Sequence, residues 1–232
     1  AFKGTPSRTA VEVNRELDEI GSHSNAFTSE EQTVFYAAFL PEYQDRAVEL
    51  LSDIMRPSLR EDDFGMEKMV ILEEIAKYDD QPPFGAYEKG MAAHFGEHPM
   101  ARSVLGTTAS VTKLSPAQMR EYFEHRYCPN NMALVAAGNI DFEKLVAQAE
   151  EACGHWEQRP TNRLTPKAEF QPRCEVYSNE SASQQYIVQI ANGPASEEPT
   201  RYAARLLSTI IGDESGSRIF WELVDTGRAE YA

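Results

Sequence analysis

Basic residues are scarce in this sequence of 232 residues. Only 22 lysines and arginines stand against 37 aspartates and glutamates, which gives a formal net charge of -15. A protein that binds nucleic acid needs a basic surface to neutralise phosphates, and the sequence has no basic stripe of that kind. The composition therefore argues against nucleic acid as a partner. It is compatible with a basic partner or substrate, although solubility alone explains it more simply.

Cysteines and long apolar runs are also few. The three cysteines, Cys128, Cys153 and Cys174, are widely spaced and form no C-x-x-C pair, which argues against a disulfide framework and a cysteine-rich zinc site. We expect them to be small buried hydrophobic residues. No apolar run approaches the roughly 20 residues of a membrane helix, so no membrane partner is expected. The sequence names no compartment, and a soluble cytoplasmic or periplasmic protein is favoured.

Hydrophobic periodicity predicts a mixture of helices and strands. Helices are predicted over residues 8–21, 41–55, 60–80, 83–95, 115–127 and 141–154. Thr9 and Ser115 are the candidate N-caps of the first and fifth of these helices. Residues 24–40 are β-rich with a polar turn at Ser29–Gln32, which predicts a hairpin. The continuous apolar stretch 131–139 predicts a buried strand.

A polar, proline-containing stretch without periodicity predicts a linker at residues 158–172. It separates an N-terminal domain, residues 1–157, from residues 173–232, where the pattern begins again. Strands are predicted there at 174–178 and 184–193, followed by helix-like patterns. This second unit stops in the middle of its pattern and looks like a partial domain. Strand pairs lie between groups of helices, which predicts an α+β fold built in layers rather than a parallel doubly wound sheet.

No G-x-S-x-G elbow, P-loop or G-x-G-x-x-G is present, but the stretch AAHFGEHPMA contains the letters H-x-x-E-H of a metal-binding hydrolase. Two histidine ligands of one zinc ion must lie four residues apart on an intact helix. Gly96 weakens that helical turn by about 1 kcal/mol, and Pro99 disfavours a helical His98. We interpret the match as coincidental, and a metal site of His94, Glu97 and His98 stays an alternative.

Two glutamates of the predicted helix 60–80 form a different candidate site. Glu67 and Glu74 are two helical turns apart, so both lie on one face. Apolar residues such as Val70 share that face. Carboxylates in an apolar stripe are costly to bury unless they are paired, hydrogen-bonded or bound to a metal. An exposed helix with charge pairs is the simpler alternative.

Several segments, in order along the chain, resemble the M16 family of zinc metallopeptidases, the inverzincin group of pitrilysin, insulin-degrading enzyme and mitochondrial processing peptidase. AFKGTPSRTA resembles the stretch just after the family's H-x-x-E-H helix, and IGSHSNAFTSEEQTVFY resembles the hairpin beside the zinc. EKMVILEEIAKYDDQP resembles the helix of the third ligand, and EHPMARSVLGT, YCPNNMALVAAGNID and SRIFWELVDTGRAEYA also match. The resemblance implies a two-layer α+β domain of the LuxS/MPP-like metallohydrolase type, followed by the beginning of a second similar domain.

The resemblance also implies roles for particular residues. Glu74 corresponds to the third zinc ligand, and Glu67 to the acidic residue that supports catalysis at the site. Tyr231 corresponds to a catalytic tyrosine of the second domain that stabilises the reacting carbonyl. The strand on which family members bind an extended peptide substrate through its backbone corresponds to Asn25, Ala26, Phe27 and Thr28.

Two features depart from the family pattern. The H-x-x-E-H that supplies two histidine ligands and the general base is expected just before residue 1, so Zn²⁺ and activity are expected only in a longer protein, and this segment alone is expected to be inactive. Val224 stands seven residues before Tyr231, where family enzymes usually carry an arginine that works with the tyrosine.

The preferred function is a zinc-dependent endopeptidase that acts on extended or unfolded peptides. The alternative is a non-catalytic M16-like partner or structural subunit that binds peptides or a catalytic homologue. Family members act as single chains, homodimers and heterodimers, so either kind of dimer is compatible with the resemblance.

Overall fold

A computed structural model describes residues 2–79, 82–161, 165–170, 172–178 and 183–231. Its helices are α1 (Ala10–Glu19), α2 (Gln44–Ile54), α3 (Glu61–Asp79), α4 (Pro82–Phe95), α5 (Thr108–Lys113), α6 (Pro116–Arg126), α7 (Phe142–Cys153) and α8 (Arg201–Ile211). Strands β1 (His23–Thr28) and β2 (Thr33–Ala38) pair as an antiparallel hairpin. Short turns of 3-10 helix span Pro41–Tyr43, Pro99–Ala101 and Pro129–Asn131, and a π-helical turn spans Phe220–Val224. Helices with a small sheet make the described part α+β, as the sequence predicts.

Capping residues fix where several helices begin. Thr9 accepts a hydrogen bond from the backbone N–H of Glu12 before α1, and the Glu12 carboxylate accepts one from the Thr9 N–H in return. Ser115 and Gln118 form the same reciprocal pair before α6. Such caps satisfy backbone N–H groups that have no partner within the helix. They explain why the predicted helix starts at Thr9 and Ser115 are confirmed.

The main core lies between α1, α2 and the hairpin. Its buried residues are Val13, Leu17, Ile20, Ala47, Leu50 and Ile54, and Phe2, Phe35, Phe39 and Met55 pack against them. Burial of a large aliphatic side chain such as Leu50 contributes roughly 1.5–3 kcal/mol. This core therefore holds β2 and the N-terminal segment against α1 and α2.

Arg8 anchors the N-terminal segment to α1 and α2 through ion pairs. Its side chain is only 13% exposed and donates to Glu16 at 2.9 Å, Glu49 at 2.5 Å and Asp53 at 2.7 Å. Burial by itself would lower the pKa of Arg8, but these hydrogen bonds raise it above its ordinary value. For Asp53, burial by itself would raise the pKa, but hydrogen bonds from Thr5 and Arg8 lower it below its ordinary value. The carboxylates around Arg8 therefore serve the fold.

Three predicted strands are not formed. They are residues 131–139, 174–178 and 184–193. Val135, Val176 and Ile187 within them are 84%, 86% and 82% exposed, so the predicted burial of the first segment is also wrong. A strand is stabilised by hydrogen bonds to a neighbour. In the described ranges, no other segment pairs with these three, although their apolar pattern is typical of strands.

The expected burial of the cysteines holds only in part. Cys128 is buried, Cys153 is partly buried and Cys174 is exposed. Cys174 lies in one of the unpaired segments, where no strand of the described part of the chain covers it. The expectation was therefore wrong for the residue whose local structure was also predicted wrongly.

The chain divides into two compact units, residues 1–188 and residues 189–232. The second unit contains α8, whose Tyr202, Leu206 and Ile210 are 65%, 66% and 53% exposed. The predicted domain boundaries after residues 157 and 172 stay a prediction, and linker residues 162–164 and 171 lie outside the described residues. Within the described residues, no helix is both long enough and apolar enough to cross a membrane.

Candidate active site

Helix α3 presents the two predicted glutamates on an accessible face. The Glu67 side chain is 43% exposed, and Glu74 is exposed as well. Val70 lies between them and is 49% exposed, whereas Ile75 on the adjoining face is buried. The two carboxylates are therefore not buried in an apolar stripe. The alternative of an exposed helix face agrees better with the structure. The exposed carboxylate of Glu74 is accessible to a ligand from outside α3.

The N-terminal segment joins α3 to the hairpin through two consecutive residues. The Phe2 ring lies 6.0 Å from that of Phe35 on β2, and the Lys3 Nζ lies 2.9 Å from a carboxylate oxygen of Glu67. The hydrogen bond and charge of Glu67 raise the pKa of Lys3. The sequence did not single out Lys3, because its partner is distant along the chain and leaves no local pattern.

Gly4 allows this segment to turn back on itself. It has φ of +111°, and a Cβ atom there would lie 2.7 Å from the carbonyl oxygen of Arg8. Its own carbonyl accepts a hydrogen bond of 3.1 Å from the N–H of Ser58, just before α3. Arg60 also donates to the carbonyl of Lys3. Backbone and side-chain contacts together thus hold residues 2–4 beside the start of α3.

Strand β1 carries the four predicted substrate-binding residues. Asn25, Phe27 and Thr28 are exposed and Ala26 is half-buried, with Phe27 exposing 51% of its surface. Among the described residues β1 pairs only with β2, so its other edge is open. An open edge can accept an extended peptide through backbone hydrogen bonds. The assignment of substrate binding to this strand stays a prediction.

Tyr231 lies in the second unit and is 61% exposed. Val224 is the last residue of the π-helical turn. Its apolar side chain has no hydrogen-bond donor, so it cannot replace the arginine that family enzymes usually carry at this place. The catalytic role of Tyr231 also stays a prediction.

The H-x-x-E-H letters do not form a helical metal site. Helix α4 ends at Phe95, Gly96 has φ of +56°, and His98 is extended with ψ of 146°. His98 instead accepts from the N–H of Met100 at 3.2 Å, and its other ring nitrogen lies 2.8 Å from the carbonyl oxygen of Pro166. The predicted failure of the helix between the two histidines is confirmed.

The described residues do not form a zinc site by themselves. No group of three or more histidine, cysteine, aspartate or glutamate side chains in that part of the chain could hold a metal ion. Glu67 and Glu74 are about 10 Å apart along the helix, whereas a zinc–oxygen bond is about 2 Å long, so one ion cannot bind both. Glu74 would supply one carboxylate, which is not a complete site.

Two family models match the chain. The model described as Insulinase (Peptidase family M16) matches residues 1–108, and the one described as Peptidase M16 inactive domain matches residues 113–231. An uncharacterized zinc protease of Mycobacterium tuberculosis is 34% identical over 100% of this chain and 54% of its own length. One of Rickettsia felis is 30% identical over 100% of this chain and 56% of its own length. The chain spans about half the length of the curated relatives it matches.

Solved structures have a similar fold. A protease from Helicobacter pylori has a TM-score of 0.78 at 21% identity, and the match covers 98% of this chain and 56% of that chain. A peptidase M16 inactive domain from Pseudomonas fluorescens has a TM-score of 0.80 at 15% identity, with the same coverage of 98% and 56%. At these identities the likeness shows the fold alone, which is the α+β fold of M16 peptidase domains. With both family models matching along its length, the chain belongs to the M16 family of metallopeptidases.

Proposed function

We propose that the full-length protein is a zinc-dependent endopeptidase that hydrolyses peptide bonds in extended or unfolded peptides. The names of its relatives, which are called zinc proteases, support the metal and the reaction class. In this proposal Glu74 supplies one zinc ligand, and an H-x-x-E-H segment before Phe2 supplies the others. Without that H-x-x-E-H segment, residues 1–232 alone would be inactive.

The contacts of Phe2 and Lys3 carry the proposal. These two consecutive residues contact β2 and α3 respectively, so a zinc-binding segment attached before them would begin beside the carboxylate helix and the hairpin. A zinc site requires ligands held at fixed positions, because bond lengths vary by only about 0.2 Å. The contacts of residues 2–4 with α3 and β2 would provide that fixed position.

The open edge of β1 supports an extended substrate. Backbone hydrogen bonds to an edge strand fix a peptide in place while demanding little of its sequence. A folded protein cannot offer such a strand without local unfolding. The proposed substrates are therefore unfolded or flexible segments rather than compact domains.

Peptide cleavage by the full-length protein tests the proposal. We expect Glu74→Gln to lower the rate of cleavage of an unstructured, fluorescence-quenched peptide by more than about 100-fold, since even residues that only support metal ligands contribute about 10- to 100-fold. Glu73→Gln is the matched control, because Glu73 is the adjacent exposed glutamate of α3. Full activity of Glu74→Gln would contradict the proposed role of Glu74.

A proline at Ala26 tests the peptide-binding edge separately. Proline removes one backbone N–H and is tolerated where that N–H faces away from the sheet. We expect Ala26→Pro to weaken peptide binding by about 10-fold, the contribution of one strong hydrogen bond. Ala26→Ser keeps the N–H and should bind as the wild type does. Equal affinities of the two variants would argue against this edge as the substrate site.

A non-catalytic partner or structural subunit is the second candidate function. It is favoured by the match of residues 113–231 to an inactive-domain model and by Val224 at the usual arginine position. In that case the full-length protein would bind extended peptides, or a catalytic M16 homologue, without cleaving the peptide. Binding without cleavage, and with no effect of Glu74→Gln, would support this alternative.

A further inference from the structure

The backbone of Ala26 faces the open edge of β1. The N–H of Ser29 donates to the carbonyl of Gln32 at 2.8 Å and closes the hairpin. In an antiparallel ladder, hydrogen-bonded and non-hydrogen-bonded residue pairs alternate along the strand. Ala26 stands opposite Phe35, three positions back from Ser29, and so falls in a non-hydrogen-bonded pair. Its N–H and C=O therefore point away from β2.

The Ala26 N–H already has an acceptor within β1. It donates to the side-chain Oδ1 of Asn25 at 2.8 Å. Asn25 is exposed, so its amide can rotate into water without leaving a buried polar group unsatisfied. An extended peptide that pairs with this edge would need the same N–H as a donor to one of its own carbonyls. Asn25 and the peptide would therefore compete for one hydrogen-bond donor.

We propose that Asn25 guards the open edge: its amide oxygen occupies the Ala26 N–H until an extended peptide displaces it, and the competition sets the affinity for peptide. This role rests on the proposed function, because it takes β1 as the peptide-binding strand. Unpaired edge strands are prone to pair with other chains, and proteins protect them in several ways. A local acceptor protects the edge without blocking it, because the peptide restores the hydrogen bond that it breaks.

Removal of the Asn25 amide oxygen tests this proposed role. The full-length protein is treated with a chelator so that peptide is not hydrolysed, and binding of a short, uncharged, unstructured peptide is measured. We expect Asn25→Ala to bind it about 2- to 10-fold more tightly than the wild type, the range for one hydrogen bond. Asn25→Asp should bind more weakly, because a carboxylate is a stronger acceptor for the Ala26 N–H.

Asn14→Ala is the matched control. Asn14 lies on α1, is exposed, and makes a local side-chain bond to the carbonyl of Ala10 at 2.7 Å. This variant should bind peptide as the wild type does. Weaker peptide binding by Asn25→Ala than by Asn14→Ala would overturn the proposed role of Asn25, since Asn25 would then itself contact the peptide.

Hydrogen exchange of the Ala26 amide without peptide gives an independent measurement. Its protection factor should fall about 2- to 10-fold in Asn25→Ala and persist in Asn25→Asp. Equal protection of the Ala26 amide in Asn25→Ala and the wild type would overturn the proposed role of Asn25, regardless of the peptide affinities. If protection changes as expected but neither protein binds peptide, β1 is not the peptide site and the proposed function fails instead.

Discussion

The first unit contains two groups of acidic side chains that differ in how their oxygens are used. Glu16, Glu49 and Asp53 surround the nearly buried guanidinium of Arg8 and accept its hydrogen bonds. On α3, Glu67 pairs only with the half-exposed Lys3 at 2.9 Å among the described residues, and Glu74 is exposed. Carboxylates committed to a buried cation stabilise the fold, whereas accessible ones can bind a ligand. The accessibility of the carboxylate oxygens, more than their charge, distinguishes the structural group around Arg8 from the functional candidates on α3.

Replacement of Arg8 should have the largest effect on the structural group. Arg8→Met leaves Asp53, which is 20% exposed, without its cation, and leaves Glu16, which is 12% exposed, paired with Arg46 alone. Loss of one partner of a buried ion pair costs about 3–5 kcal/mol, so the free energy of unfolding should fall by that amount in urea titrations. Arg15→Met is the control, since Arg15 is 60% exposed and lies 3.5 Å from Glu19. A similar small effect in both variants would remove the contrast between the two groups.

Replacement of Glu67 should affect activity more than stability. Glu67→Gln keeps the shape of the side chain but loses the charge that pairs with Lys3. If Glu67 supports the proposed site, the peptidase activity of the full-length protein should fall by about 10- to 100-fold, as for other residues that orient metal ligands. Its melting temperature should match that of Glu73→Gln. Unchanged activity would leave Glu67 as a surface charge only.

Low pH should reduce the stability that the acidic group around Arg8 contributes to the fold. Hydrogen bonds from Thr5 and Arg8 outweigh burial and hold the pKa of Asp53 below its ordinary value of 3.8. The contribution of Asp53 is therefore fully present above pH 3.8, and it is lost as the pH falls from there through the lowered folded pKa. Urea titrations should show this loss in the wild type and a smaller one in Asp53→Asn. Identical pH profiles would contradict the charge-dependent role of Asp53.

The smallest effect is expected at the H-x-x-E-H letters. Helix α4 ends between His94 and His98, and His94 stacks on Phe170 with ring centroids 4.3 Å apart. We expect His94→Ala to leave the zinc content of the full-length protein unchanged, as measured by mass spectrometry. A loss of zinc would restore these histidines as ligands and would weaken the case for α3.

Local features of the fold could be predicted from the sequence. The caps at Thr9 and Ser115, the hairpin turn at Ser29–Gln32 and the end of α4 before His98 each depend on a few adjacent residues. Local rules of capping, turn formation and proline geometry determine them. The family resemblance is confirmed by the matching models.

Features that depend on distant residues could not be predicted. The stretch 131–139 has the composition of a buried strand, but pairing requires a neighbour that its own residues do not specify. The contact between Lys3 and Glu67 likewise joins residues far apart in the chain. The sequence identified Glu67 and Glu74 as unusual, whereas only the structure showed that their face is accessible.

The zinc content of the full-length protein tests the central proposal most directly. After dialysis against metal-free buffer, we expect about one zinc ion per chain in the wild type and in Glu73→Gln, and far less in Glu74→Gln. Circular dichroism should show the same folded content in all three. Equal zinc in Glu74→Gln and Glu73→Gln would contradict the assignment of Glu74 as a ligand and, with it, the proposed active site on α3.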